Sequence, residues 1–169
     1  IVDRYGDWLV IQTTSQGMDR AKAEIVSCLE ELLSPAGIVE RNDVTVRERE
    51  ALSIQRGVLH GQAPAAFTPV EMNGLRFGAD LLEGQKTGLY LDQRENYVAA
   101  AKYARGRALD CFTSTGGFAL HIAGKCESVE AVDSSAAALA LASQNAATNS
   151  ITNITWREAN VFDLLNTFR

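Results

Sequence analysis

The spacing of apolar residues changes period along the chain, and each change marks an element. Ile1-Val2 and Trp8-Leu9-Val10-Ile11 flank the polar run Asp3-Arg4-Tyr5-Gly6-Asp7, which predicts two antiparallel strands turning at Gly6-Asp7. Met18, Ala21, Ile25, Leu29, Leu32 and Leu33 then fall on one face at helical spacing, giving a helix over 18–33 that Pro35 and Gly37 stop. Gly37–Arg41 reads as a short strand. The stretch 42–55 is dense in alternating charge (Arg47, Glu48, Arg49, Glu50) and reads as a solvated helix or loop, with a substrate-facing segment as the competing reading. Residues 62–69 form an irregular connection, and 70–77 a hairpin turning at Asn73-Gly74.

The second half has a different rhythm. A polar, glycine-containing run, Gly84-Gln-Lys-Thr-Gly-Leu-Tyr-Leu-Asp-Gln-Arg-Glu-Asn96, precedes a helix expected over 96–104. The run reads either as a linker or as a ligand-facing segment. A short strand at 108–112 leads through Thr113-Ser-Thr-Gly-Gly117 into a helix opening at Phe118. A second strand, 129–133, ends in Asp133, sixteen residues after Gly117. Ser134 or Ser135 is placed to cap an alanine-rich helix reaching Asn149. A third strand at 154–156 runs into Glu158–Asp163, and another helix begins at Leu164-Leu165.

Strand, glycine turn, helix, strand, acid is the order of a nucleoside-binding βαβ unit, in which the acid takes the ribose hydroxyls. Adjacent glycines let the backbone approach a ligand closely, and the following helix directs its first N–H groups at the same spot. Three consecutive strands carry polar markers near their carboxyl ends: Asp110 with the glycine loop, Asp133, and Asn160 with Asp163. The loop has neither the Gly-x-Gly-x-x-Gly of dinucleotide folds, which disfavours an NAD-type dehydrogenase, nor the Gly-Lys-Ser/Thr of a phosphate-gripping loop. S-adenosylmethionine fits instead, with its ribose on Asp133, its adenine at Asn160, and its amino-acid end at the glycine loop and Gln93/Arg94.

Composition narrows the setting. The charge is −5, with 10 Lys+Arg against 15 Asp+Glu in 1–100 and 6 against 6 in 101–169. That balance offers nucleic acid no general attraction, so RNA contact calls for a local patch or a further domain. No apolar run is long enough to span a bilayer. Cys28, Cys111 and Cys126 share no metal-ligand or redox spacing, and only His60 and His121 accompany them, so no metal site is expected. Scattered cysteines in odd number fit a cytoplasmic setting.

The runs 84–94, 109–118 and 131–134, together with Ile1-Val-Asp-Arg-Tyr-Gly-Asp7, resemble the class I S-adenosylmethionine-dependent methyltransferases of the ribosomal RNA large-subunit methyltransferase I type, which methylate C5 of a cytosine in 23S rRNA. The resemblance covers nearly the whole chain. It implies an α/β fold: the first half of a Rossmann-like class I methyltransferase sheet, preceded by a small α+β domain. The expected divisions are a central α+β domain over 1–82, a connecting segment and helix over 83–107, and a truncated cofactor-binding domain over 108–169. By the same resemblance Asp110, Thr113, Gly116 and Gly117 line the methionine side of S-adenosyl-L-methionine, Asp133 binds the ribose, Asn160 reads the adenine, and Gln93 and Arg94 close over the cofactor.

The family's RNA-binding PUA domain would lie before Ile1, and its Asp-Pro-Pro motif and catalytic cysteine after Arg169. The chain is therefore expected to be a fragment without catalytic residues, inactive alone, whose parent acts on ribosomal RNA. Cys111 reads as a small buried residue rather than the nucleophile. Methylation of another base or of protein, and a non-catalytic nucleoside-binding module, stay open as alternatives. A homodimer is compatible with the sequence, which does not specify the oligomeric state.

Overall fold

The computed structural model describes residues 1–84 and 86–167; Gln85 of the 84–96 run and Arg169 lie outside the described residues. The chain divides into two units, one made of Ile1–Val70 and Ala79–Leu89, the other of Glu71–Gly78 and the chain from Tyr90 onward.

The first unit is built on a four-stranded sheet in the order β1-β2-β3-β4 (Val2–Tyr5, Trp8–Ile11, Gly37–Asn42, Gln55–Gly61). β1 and β2 pair antiparallel through the turn at Gly6-Asp7, β2 and β3 are parallel, and β3 and β4 are antiparallel. All six residues of β3 are buried, so the strand reads as a continuous run without alternation. Leu9, Ile11 and Ile38 form the core, covered by Val26 and Leu29 from a helix and by Leu59. The expected single helix over 18–33 is two, α1 (Gln16–Arg20) and α2 (Lys22–Leu33). The break is at Ala21, whose ψ of 0° leaves the helical range. Just before it, Asp19 is held by Thr13 Oγ1 (2.7 Å) and Arg47 Nη1 (2.9 Å), which fixes the first turn separately.

The charged stretch after β3 is neither solvated throughout nor open to a ligand at its centre. It forms a short 3-10 turn, Thr45–Glu50, in which Arg47 is fully buried. The guanidinium donates to the Ser53 carbonyl (2.9 Å), to Thr13 and to Asp19. These hydrogen bonds, Arg47's foremost and Thr13's next, hold the Asp19 carboxyl below its ordinary value. β4 has no counterpart in the sequence reading, because Gly57 and Gly61 interrupt its alternation.

The second unit contains a parallel three-stranded sheet, β7-β8-β9 (Arg107–Cys111, Ser128–Asp133, Ile154–Glu158), with Ala108 opposite Val129 and Val129 opposite Ile154. Helices α4 (Gly117–Ala123), α5 (Ala136–Thr148) and α6 (Val161–Asn166) follow the three strands in turn, and α3 (Arg94–Ala101) precedes them. Ala119, Ile122, Ala123, Val129 and Ala131 form the core between sheet and helices. Small residues on both sides let α4 lie close to the strands. Ser135 caps α5, its side chain accepting from Ala138 N–H at 3.2 Å, a contact worth about 1 kcal/mol.

The hairpin β5–β6 (Thr68–Met72, Leu75–Ala79) turns at Asn73 and Gly74, both with positive φ (53° and 78°), the signature of a type I′ turn. Two elements start earlier than expected. α3 opens at Arg94 instead of Asn96. α6 opens at Val161 instead of Leu164, because the Asn160 side chain caps it.

Candidate functional site

β7 ends at Cys111, and the backbone then turns sharply. Phe112 and Ser114 take left-handed φ values of 61° and 49°, and Gly116 one of 86°. Side-chain carboxylates hold this path in place. Asp110, buried at the end of β7, accepts from Thr113 Oγ1 (2.6 Å) and from Ala119 N–H (2.9 Å) through one oxygen, so it bridges the loop to α4. Burial pushes its carboxyl above the ordinary value and the nearby Asp133 adds to the push, while the two donors oppose it. Asp133, at the end of β8, accepts Ser114 N–H (2.9 Å) through one oxygen and Ser135 N–H (3.0 Å) through the other. Each carboxylate oxygen has a second lone-pair direction beyond that single bond.

The two glycines are accounted for by side chains of the protein. A Cβ at Gly116 would sit 2.4 Å from Leu120 Cδ1, in a backbone conformation L residues rarely adopt. A Cβ at Gly117 would sit 2.5 Å from both Cζ and Oη of Tyr97. That ring, from α3, stacks on His121 (centroids 4.9 Å) and meets Phe118 edge-on (4.7 Å). Burial first, then the charges of Asp92 and Asp110, pushes the Tyr97 phenol up to about 12, so it remains a neutral hydroxyl.

Beside this ring lies a cavity of about 270 Å³. Tyr90, Gln93 and Tyr97 line it together with Phe112, Thr113, Ser114, Gly117 and Phe118. A larger hollow of about 590 Å³ opens around Arg107, Ser128, Glu130 and Thr155. It lies where the strands begin, whereas ligands of parallel α/β sheets bind at the carboxyl ends, so the smaller cavity is the candidate site.

The expected residues separate into three groups. Gln93, Thr113 and Gly117 line the cavity, with Gln93 Oε1 accepting from Asn96 Nδ2 at 2.9 Å. Asp110, Gly116 and Asp133 are outside that lining: Asp110 and Gly116 shape the loop from within, and Asp133, half-buried at the end of β8, bonds to the loop at Ser114. Arg94 and Asn160 do not line it. Arg94 is exposed, its Nε donating to Asn73 Oδ1 (3.1 Å). Asn160 Oδ1 accepts from Phe162 N–H (2.9 Å) and Asp163 N–H (3.3 Å) as the cap of α6.

Other participants were not apparent beforehand. Phe112 and Phe162 are exposed yet face each other, with centroids 5.5 Å apart. Asn73, His121 and Asn145 bond to the site's surroundings. Of that last group, only Asn73 was marked in the sequence, as a turn residue.

Cys111 is half-buried rather than the buried residue expected from the sequence. Burial, with Asp110 beside it, raises the Cys111 thiol, and the side chain packs beside Val132, Val161 and Leu164. Cys126 packs on the core of the second unit, and Cys28 is exposed on α2. Among the described residues no group of His, Cys, Asp and Glu could hold a metal ion, and no helix is long and apolar enough to cross a membrane.

Comparison with known proteins finds relatives along nearly the whole chain. No family model matches it. The Erwinia tasmaniensis protein named ribosomal RNA large subunit methyltransferase I is 38% identical over 172 residues, covering 99% of this chain and 43% of the relative. The chain therefore spans less than half the length of the curated relatives it matches. Among solved structures, a methyltransferase complexed with S-adenosylhomocysteine superposes with a TM-score of 0.81 at 22% identity, over 98% of this chain and 43% of that one. Methanocaldococcus jannaschii Trm5 in complex with adenosine gives 0.76 at 18%, over 96% and 48%. The fold is accordingly the α/β, Rossmann-like fold of S-adenosylmethionine-dependent methyltransferases, and the motif-based resemblance extends to sequence identity over the chain's full length.

Proposed function

We propose that this chain is the central and cofactor-binding part of an S-adenosylmethionine-dependent RNA methyltransferase of the ribosomal RNA large subunit methyltransferase I family, acting in the cytoplasm on C5 of a 23S rRNA cytosine. The observation that carries the reading is the 38% identity over 99% of the chain to a protein of that name. The placement of Asp110, the glycine loop and Asp133 at the carboxyl ends of adjacent parallel strands supports it. In this reading the division expected from the sequence separates an α+β part from the cofactor part.

The cofactor's ribose hydroxyls donate to Asp133, whose two oxygens are already aimed by Ser114 and Ser135 N–H groups. Its methionine end enters the cavity along Thr113 and Gly117, against Gln93, with Asp110 fixing the loop from behind. Adenine lies towards Asn160. Because Asn160 Oδ1 is committed to the cap of α6, the amide contributes Nδ2, a donor suited to a ring nitrogen. Arg94 acts at one remove, through Asn73.

Methylation at C5 needs a thiolate to add to C6, making C5 nucleophilic, and a base to take the C5 proton before the thiolate leaves. The raised thiol of Cys111 is a poor source of thiolate at neutral pH. The nucleophile belongs to the remainder of the parent protein, and this stretch alone is not expected to turn over. The test is methyl transfer from labelled S-adenosylmethionine to 23S rRNA by the whole protein. Label at cytosine C5 is expected; label on another base, on protein, or nowhere overturns the assignment.

A further inference from the structure

The β5–β6 hairpin and the glycine loop are held by the same side chains. Asn145, fully buried on α5, accepts Gly78 N–H of the hairpin through Oδ1 (2.7 Å) and donates Nδ2 to the Thr115 carbonyl of the loop (3.1 Å). His121 on α4 makes the second link. Its Nδ1 lies 2.6 Å from the Gly117 carbonyl, and its Nε2 lies 3.1 Å from Nδ2 of Asn73 at the hairpin turn. A carbonyl can only accept, so Nδ1 carries the proton and Nε2 accepts from Asn73. The second Nδ2 proton of Asn73 goes to the Arg94 carbonyl (2.9 Å), and its Oδ1 accepts from Arg94 Nε (3.1 Å). Every polar atom of that turn side chain is used.

The carbonyls on either side of Gly116, those of Thr115 and Gly117, are therefore both fixed, each by a side chain whose other end grips the hairpin. Neither peptide plane can rotate without breaking its bond. A third asparagine makes a useful contrast. Asn149 accepts Arg76 N–H (2.8 Å) and donates to the Arg76 carbonyl (2.6 Å), so it grips the hairpin without touching the loop.

We infer that the β5–β6 hairpin sets the conformation of the glycine loop, with Asn73, His121 and Asn145 as positioning residues for cofactor binding. The cofactor half of the inference rests on the functional reading above. The hairpin residues thereby gain a role that neither their turn chemistry nor their distance in sequence from the loop would indicate.

Three variants of the whole protein separate positioning from simple docking. Asn145→Asp keeps an acceptor for Gly78 and loses the donor to Thr115. His121→Phe keeps a ring between Tyr97 and Phe77 and loses both bonds. Asn149→Ala frees Arg76 of the hairpin and removes a bond to the Asn145 carbonyl within α5 (2.7 Å), leaving both side-chain bonds of Asn145 in place. Amide hydrogen exchange is read at Gly116 and Ala119 without cofactor, and S-adenosylhomocysteine affinity by calorimetry. All three variants are expected to speed Gly116 exchange by roughly three- to tenfold, the worth of one hydrogen bond, with β8 amides unchanged. Affinity is expected to fall by a similar factor. Faster exchange at Arg76 in Asn149→Ala with Gly116 and affinity unaltered would overturn the inference. If the wild type binds no S-adenosylhomocysteine, the functional reading fails and the role in cofactor binding fails with it. The exchange data decide the hairpin's hold on the loop by themselves.

Discussion

Gly117 offers a sharp test of why the loop has the sequence it has. Unlike Gly116, its backbone is in a region open to any residue, so the requirement for glycine is one of space. A Cβ there would lie 2.5 Å from Tyr97 Cζ, 0.9 Å short of the 3.4 Å at which ordinary contact begins. The ring cannot easily retreat, with His121 stacked at 4.9 Å and Phe118 edge-on at 4.7 Å. Overpacking of this kind costs about 1–3 kcal/mol. If the ring is shortened by Tyr97→Leu, the clashing atoms are gone, and Gly117→Ala should instead gain up to about 1 kcal/mol from helix propensity. The sign of the alanine effect is thus expected to reverse between the two backgrounds, with a coupling of about 1–4 kcal/mol. Urea denaturation of the four proteins measures it, as midpoint shifts at constant slope. Equal destabilisation in both backgrounds, or none in the wild type, would refute the steric account.

Two further outcomes follow from the same geometry. Asn160→Ala should lower stability by about 1 kcal/mol through loss of the α6 cap, while Asn160→Asp, which keeps an acceptor, should not; thermal melting distinguishes them. Burial holds His121 below its ordinary value of 6.5, partly offset by its bond to Gly117, so the unfolded state takes up the proton first. Its contribution is complete above 6.5 and is lost as pH falls below that value. The groups facing it, Tyr97, Phe77 and Asn73 with Arg94 behind, include no carboxylate to retain the proton. Urea midpoints of wild type and His121→Phe, compared on either side of 6.5, should therefore converge in acid. The raised Asp110 acts in the opposite sense, losing stability as pH rises through its folded value, but it is common to both proteins.

The sheet that carries the site was legible because its signals are local. Apolar strands end in Asp110 and Asp133, a double glycine follows the first, and Ser135 caps the helix after the second. The Asn73-Gly74 turn was legible for the same reason. What escaped depends on partners far along the chain. Arg47 looked like one of a row of solvated charges, but its partner Asp19 is 28 residues earlier. β4 escaped because Gly57 and Gly61 hide a strand defined by its pairing with β3. Gly117 invited a ligand-based explanation, yet the ring against it belongs to Tyr97, twenty residues upstream. Asn160 was legible as a marker at the end of β9, while the engagement of its oxygen by the next helix was not. Local chemistry marked the candidate site; tertiary partners determine which atoms remain available in it.

The central claim is that the carboxyl end of this sheet binds S-adenosylmethionine through Asp133. Titration of the whole protein with S-adenosylhomocysteine, in wild type and Asp133→Ala, tests it most directly. One site per chain is expected, weakened at least about tenfold in the variant, as befits loss of charge-assisted hydrogen bonds to a buried ligand. Absence of binding in the wild type, or equal affinity in the two proteins, would contradict it.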